Sequence, residues 1–225
     1  MLIEVSRKHQ ALGGSAAVPK PLWVAGDPTN SVAMPYTVSD FIRDADATLR
    51  QSSGGSDALG QLKLRLERLV GSEGSVPQTA FAPRKDRFAM NLIHMPPDNS
   101  YSVIGGVWTP GQTTPIHDHL TWALIGVYSG QEREALFRRT DDGSDPTRAR
   151  LQLASERTNG KGHVTVLGAA GIHRVDNPFG DPAYSIHVYG RDIGTTERHS
   201  YDPVTGEISK FVSGYCNVLR DEDLS

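Results

Sequence analysis

Phe88-Ala-Met-Asn-Leu-Ile-His94, Tyr101-Ser-Val-Ile-Gly-Gly-Val-Trp108 and Thr121-Trp-Ala-Leu-Ile-Gly-Val-Tyr128 decide the fold class. Each is a short apolar-rich run, and turn residues separate it from the next. Glu134–Arg139, Val164–Leu167 and Ala183–Tyr189 continue the series, and Asp141-Asp-Gly-Ser-Asp-Pro146 is a polar turn between two of them. Several short strands punctuated by glycine and proline predict an antiparallel sandwich or barrel. Upstream the period changes. Thr37 with Asp40 three residues on has the form of a capping box, ahead of the apolar stripe Phe41, Ile42, Ala45 and Leu49. Gln51-Ser-Ser-Gly-Gly-Ser is expected to be a loop. A second helix is expected from near Asp57, with Leu59, Leu62, Leu66 and Leu69 on its buried face. Gly71-Ser-Glu-Gly-Ser-Val-Pro77 ends the helical region. Residues 1–35 show no period and read as an irregular lead segment, draped over the core through Trp23. The expected organisation is one domain over 1–225: a lead segment and helices over 1–76, and a β-barrel core over 77–215.

The chain has 225 residues, enough for a sizeable core, and its 37% hydrophobic and 22% charged residues suit a soluble globular protein. A formal net charge of -3 without a long basic run gives nucleic acid no electrostatic footprint. No apolar stretch approaches the roughly 18 residues of a membrane helix. Met1-Leu-Ile-Glu-Val-Ser-Arg-Lys lacks the apolar core of a secretory signal, and the single Cys216 excludes an intramolecular disulfide, so the cytoplasm is the expected compartment.

Chemistry concentrates in the second half. Pro115-Ile-His117-Asp-His119 puts two histidines two residues apart. On a strand, i and i+2 share a face with a rise of about 3.3 Å per residue, so both imidazoles can converge on one ion while Asp118 faces away. His173, in Gly171-Ile-His173-Arg-Val-Asp-Asn177, is the best candidate for a third ligand. The competing reading is that these are packed or surface histidines. Imidazole ligands suit Fe, Zn, Cu and Ni alike, and an open three-histidine site could equally hold a hydrolytic zinc. In Ser185-Ile-His187-Val-Tyr189 the three polar residues alternate with two apolar ones. They therefore share one strand face, where they can hydrogen-bond in a row or form a solvated edge.

These three segments, in this order and spacing, resemble the thiol dioxygenases of the cupin superfamily, which include cysteine dioxygenase and 3-mercaptopropionate dioxygenase. The resemblance spans roughly residues 80–200. It implies a mostly β fold, a cupin-type antiparallel β-barrel (double-stranded β-helix) with N-terminal helices packed on it. It also implies one Fe(II) per chain on His117, His119 and His173, a small thiol and O2 both bound to that iron, and a sulfinic acid product. Ser185 and His187 would orient the Tyr189 hydroxyl toward bound oxygen or a substrate headgroup.

Two departures point to one branch of that family. Animal-type cysteine dioxygenases carry a cysteine shortly after the H-x-H motif, whereas Leu120-Thr-Trp-Ala-Leu124 stands here. Their carboxylate-binding arginine falls where this chain has Met90. The chain is thus more similar to the 3-mercaptopropionate branch, in which an arginine downstream of the triad holds the carboxylate. Arg198 matches that placement. Arg191 competes, because it would share the face of Tyr189 if the strand ran on, but Gly190 and Gly194 favour a turn. Trp122 and Met90 are candidates to line the pocket, or core residues. The expected partners are a small thiol and O2, with no nucleic acid and no membrane. Cysteine, mercaptosuccinate, a non-thiol dioxygenase or isomerase reaction, and a non-enzymatic metal or ligand sensor remain as alternatives. Oligomeric state is not fixed by the sequence.

Overall fold

The computed structural model describes residues 35–52 and 55–218, and the expected lead segment with Trp23 lies outside them. The residues from Pro35 onward form one compact unit. It opens with two helices. The first, α1 (Val38–Ser52), starts at the expected capping box: Thr37 N donates to Asp40 Oδ2 at 3.0 Å and Asp40 N to Thr37 Oγ1 at 3.2 Å. It runs through Gln51 and Ser52, which the sequence reading gave to a loop. The second, α2 (Ser56–Gly71), buries Leu62, Leu66 and Leu69 as their spacing requires. A short 3-10 turn, Gln78–Phe81, follows. Among the described residues no helix is long and apolar enough to cross a membrane.

Eleven strands follow among the described residues: β1 Ala89–His94, β2 Ser102–Trp108, β3 Ile116–Asp118, β4 Ala123–Ser129, β5 Gln131–Arg139, β6 Leu151–Gly160, β7 Val164–Leu167, β8 Ile172–Asp176, β9 Ala183–Tyr189, β10 Arg198–Tyr201 and β11 Ile208–Phe211. They form two antiparallel sheets, ordered β1-β2-β9-β4-β7 and β11-β10-β3-β8-β5-β6. The pairings nest: β5 with β6, β4 with β7, β3 with β8 and β2 with β9. One long antiparallel hairpin, its tip in the polar turn after β5, is therefore wound so that successive segments fall in alternate sheets. That winding is the double-stranded β-helix which the resemblance implied.

Which face each strand buries follows from period-two alternation. In the first sheet Val103, Val107, Leu124, Ile186 and Val188 pack with Phe41, Leu62, Leu66 and Val70 of the helices. Ile104, Ile125, Leu167 and Tyr189 face the other way, toward Leu136 of the second sheet. Strands buried on both faces read as near-continuous apolar runs, which is why β2 and β4 were visible in the sequence. A side chain at Gly126 would meet Val70 Cγ1 at 2.9 Å and Leu66 Cγ at 3.0 Å, so glycine there lets α2 lie flat on the sheet.

Candidate metal centre

β3 and β8 pair in a register that sets His117 directly opposite His173. His119 lies one residue past β3, and Leu120 then takes a left-handed φ of 56°. For a γ-branched residue this backbone costs about 1–2 kcal/mol, and it turns the chain just beyond the second histidine. The result is a buried cluster of His117, His119 and His173 whose candidate ligand atoms all lie within 4.8 Å of one another. The Nε2 atoms of His117 and His119 are 3.2 Å apart. Two nitrogens each about 2.0–2.1 Å from one ion would be about 2.9–3.4 Å apart for octahedral or tetrahedral angles.

The tautomers fit a metal as well. His117 Nδ1 is 2.9 Å from the Pro115 carbonyl oxygen, so it carries the hydrogen and leaves Nε2 as a lone pair. His173 Nδ1 donates likewise to Glu134 Oε1 at 3.0 Å. Burial, then the neighbouring His173, pushes the His117 and His119 imidazoles well below their ordinary value, into the neutral form that ligands need. Asp118 faces the other way: its carboxylate accepts from the His199 N–H, His199 Nδ1 and the Tyr201 hydroxyl. The donor set is three imidazole nitrogens without a carboxylate.

Glu134, on β5, escaped the sequence reading. Burial alone would raise its carboxyl, but His173, through its hydrogen bond and its charge, and then hydrogen bonds from Thr165 and Arg157 outweigh it and hold it below its ordinary value. It is thus an anion that fixes the His173 ring by Nδ1. Outer partners of this kind typically contribute about 10–100-fold in metal affinity. Glu134→Ala is expected to weaken binding in that range while leaving one ion per chain at saturation, measured by competition with a chromophoric chelator. Unchanged affinity would reduce Glu134 to packing.

The polar row lies on β9 facing this cluster. Ser185 Oγ is 2.8 Å from His187 Nε2, and His187 Nδ1 is 2.8 Å from the Tyr189 hydroxyl. Tyr189 meets His119 edge to face, with ring centroids 5.0 Å apart. Burial lowers the His187 imidazole to about 3 and raises the Tyr189 phenol, so both are neutral and their hydrogen bonds are directional. Trp108, read in the sequence only as the end of a strand, stacks on His187 at 5.4 Å and is itself covered by Phe88 at 5.4 Å. A side chain on Gly106 would come within 2.5 Å of the Trp108 ring, so glycine admits this stack.

Of the four pocket candidates, two reach the cavity in front of the histidines. Met90 and Arg198 line it, with Phe88, Ile104, Trp108, Thr114, His117, His173, Val175, His187 and Tyr189. Its walls leave only about 20 Å³ to the centre of a water-sized molecule, close to one water's worth. Trp122 does not reach it. It shares the parity of Leu124 rather than that of Ala123 and Ile125, so it points outward and packs against the helix-side core. Arg191 does not either: β9 ends at Tyr189, the Gly190 N–H turns to the Trp122 carbonyl at 3.1 Å, and Arg191 is exposed. Arg198, on β10, is 3% exposed and lies over the Phe211 ring at 4.4 Å. Its NH2 donates to Ser213 Oγ at 2.9 Å, while its Nε has no partner. A wider cleft of about 700 Å³, lined by Asp141, Asp145, Arg148 and Asp202 among others, touches none of these groups.

The sequence model of the cysteine dioxygenase type I family matches residues 73–202, more than half the chain and all three histidines. The chain belongs to the cysteine dioxygenase type I family. Its membership makes it a metal-dependent thiol dioxygenase in the broad sense, an oxidoreductase whose histidine cluster could hold the metal. Solved structures are more distant from this family member. A Klebsiella pneumoniae protein described as having a double-stranded β-helix domain is 14% identical, with 49% of this chain and 77% of that one aligned at a TM-score of 0.39. A Cupin 2 conserved barrel domain protein from Salinispora arenicola is 18% identical over 49% of this chain and 82% of its own, at a TM-score of 0.37.

Proposed function

We propose that this protein is an Fe(II)- and O2-dependent dioxygenase that converts a small mercapto-carboxylate, 3-mercaptopropionate, to its sulfinic acid. The single observation that carries the choice of substrate is Arg198. It is a buried guanidinium beside the histidines, with an unpartnered Nε and no ion pair among the described residues. A buried cation without an anion is costly, and a carboxylate accepting two parallel hydrogen bonds from its planar fork would offset that cost. None of the described residues that line the cavity is an aspartate or glutamate, which leaves the ammonium of cysteine without a partner. Arg198 is also the one lysine or arginine among them, which favours one carboxylate over the two of mercaptosuccinate. The tight cavity favours a ligand of few heavy atoms.

His117, His119 and His173 would hold the iron, which when bound supplies a site for the thiolate and for O2. Every other contribution comes from side chains. Arg198 fixes the carboxylate end of the substrate and so the distance of its sulfur from the histidines. Met90, Ile104 and Val175 exclude water. Tyr189, held by His187 and Ser185, offers a hydroxyl on the cavity side of the row. On this reading Arg198→Ala lowers kcat/KM for 3-mercaptopropionate about 10- to 150-fold, the equivalent of losing a charged hydrogen bond, with most of the loss in KM. Arg191→Ala leaves it within twofold. O2 consumption by iron-reconstituted protein against a panel of thiols measures both. Cysteamine outcompeting every carboxylate thiol would sink the clamp.

A further inference from the structure

β5 sends two glutamates into the space between the sheets. Glu134 is engaged by His173. Glu132, two residues earlier on the same face, is 1% exposed, and its Oε1 has no hydrogen-bond partner. Ser185 faces it from β9, near enough for its hydroxyl to act on the carboxyl. No ion pair reaches Glu132 among the described residues: Arg133 is turned to Asp176 on the opposite face, and Arg157 is taken by Glu134. The Ser185–His187–Tyr189 row therefore does not end at Ser185. It runs on to a buried carboxyl with no countercharge, an arrangement that is costly unless the carboxyl can be neutral.

We propose that Glu132 is the fourth member of this row, a positioning residue whose proton sets the direction of every hydrogen bond in it. The argument rests on the reading of Tyr189 as the group that faces the ligand. A neutral imidazole has one N–H and one lone pair, so it passes direction along without ambiguity. With Glu132 protonated, its O–H donates to Ser185, Ser185 donates to His187 Nε2, and His187 Nδ1–H donates to the Tyr189 oxygen. The Tyr189 hydrogen is then left for the cavity. With Glu132 ionised, it can only accept. Ser185 turns its hydrogen to Glu132, His187 carries its hydrogen on Nε2, and Tyr189 donates to His187 Nδ1, so only lone pairs face the cavity. The two arrangements differ by one proton, lost from Glu132 to solvent, and by the imidazole tautomer.

Burial raises the Glu132 carboxyl to about 7, the Ser185 hydroxyl opposing it and the Glu134 charge adding to it. Among the described residues those are the groups that act on it. Asn159, its directly opposite neighbour on β6, is uncharged and donates to Glu134. Both arrangements are thus populated near neutral pH. A donor suits an anionic ligand, so the acid form of Glu132 is the one that supports turnover.

The test reads the tautomer directly. Full-length chain, labelled with 15N-histidine and loaded with diamagnetic Zn(II), is titrated by NMR from about pH 5.5 to 8.5, the window in which a neutral midpoint is visible. The His187 resonances are assigned by their loss in His187→Gln. The expected result is a shift from Nδ1–H to Nε2–H with a midpoint near neutrality, abolished in Glu132→Gln, which holds one tautomer throughout. Ser185→Ala, which leaves Glu132 in place, should uncouple His187 in the same way and covers the case that Glu132→Gln does not fold. In the iron-loaded enzyme, kcat should fall above the same midpoint, and Glu132→Gln should flatten that limb. A tautomer that does not change with pH in the unmodified chain, or that titrates identically in Glu132→Gln, overturns the proposal. A tautomer switch in a protein that oxidises no thiol would instead overturn the functional reading and leave the relay standing.

Discussion

Replacing His173 by alanine is expected to strip the protein of nearly all bound metal. Burial keeps His117 and His119 neutral, and Pro115 and Glu134 each hold one ring nitrogen of His117 and His173, so those two rings aim their other nitrogen into the cluster. Removing one leaves two neutral nitrogens and no carboxylate within the cluster, since Asp118 is engaged elsewhere. The loss should exceed the about 10–100-fold typical of an outer partner, and activity should go with it. Metal content per chain after dialysis, beside a thermal melt that checks the fold, measures the effect. Full occupancy in His173→Ala would remove this residue from the ligand set.

Tyr189→Phe is expected to keep the metal and lose the rate. The change deletes one hydroxyl that touches no ligand nitrogen. Positioned proton donors or hydrogen bonds are worth about 10²–10⁴-fold, and kcat at saturating thiol should fall in that range with iron content intact. His187 Nδ1 also loses its partner, so the melt should drop modestly, by about 1–3 kcal/mol if that buried nitrogen stays unsatisfied. An unchanged rate would return Ser185, His187 and Tyr189 to an amphipathic strand that packs well and does nothing more.

What the sequence made visible follows from how locally each feature is encoded. His117 and His119 announce themselves because two residues on one strand face need no knowledge of the rest of the fold. The row on β9 is legible for the same reason. Val164–Leu167 and Ala183–Tyr189 were read to the residue because their ends carry glycine, proline or a change of period. β6 was missed because it is an edge strand exposed on most of its length, so Leu151–Gly160 shows no apolar alternation. β10 and β11 are four residues each and mostly polar, too short to show a period. Glu132 and Glu134 stayed hidden because a buried carboxylate is recognised by its partners, and these lie on β6, β7, β8 and β9. The strand was also read as starting at Glu134, which left Glu132 outside it. Extending it back through Gln131-Glu-Arg-Glu would have put both glutamates on one face. Trp122 was named as a candidate to line the pocket, whereas Trp108 was read only as the end of a strand. Counting back by twos from Ile125 puts Trp122 on the helix side, and the same count on β2 puts Trp108 beside Ile104.

The wound hairpin has a kinetic consequence. Its tip lies between β5 and β6, while His117 and His173 sit on opposite arms, far back from that tip. Zipping from the tip aligns β4 with β7 only after β5 has met β6, and each further step closes a larger loop. Such non-local order belongs to chains that fold in milliseconds to seconds rather than microseconds. The histidines become neighbours late, when most of the zipper has closed. An ion that bridges the two arms therefore acts as a clasp on a finished structure: it slows reopening more than it hastens closure.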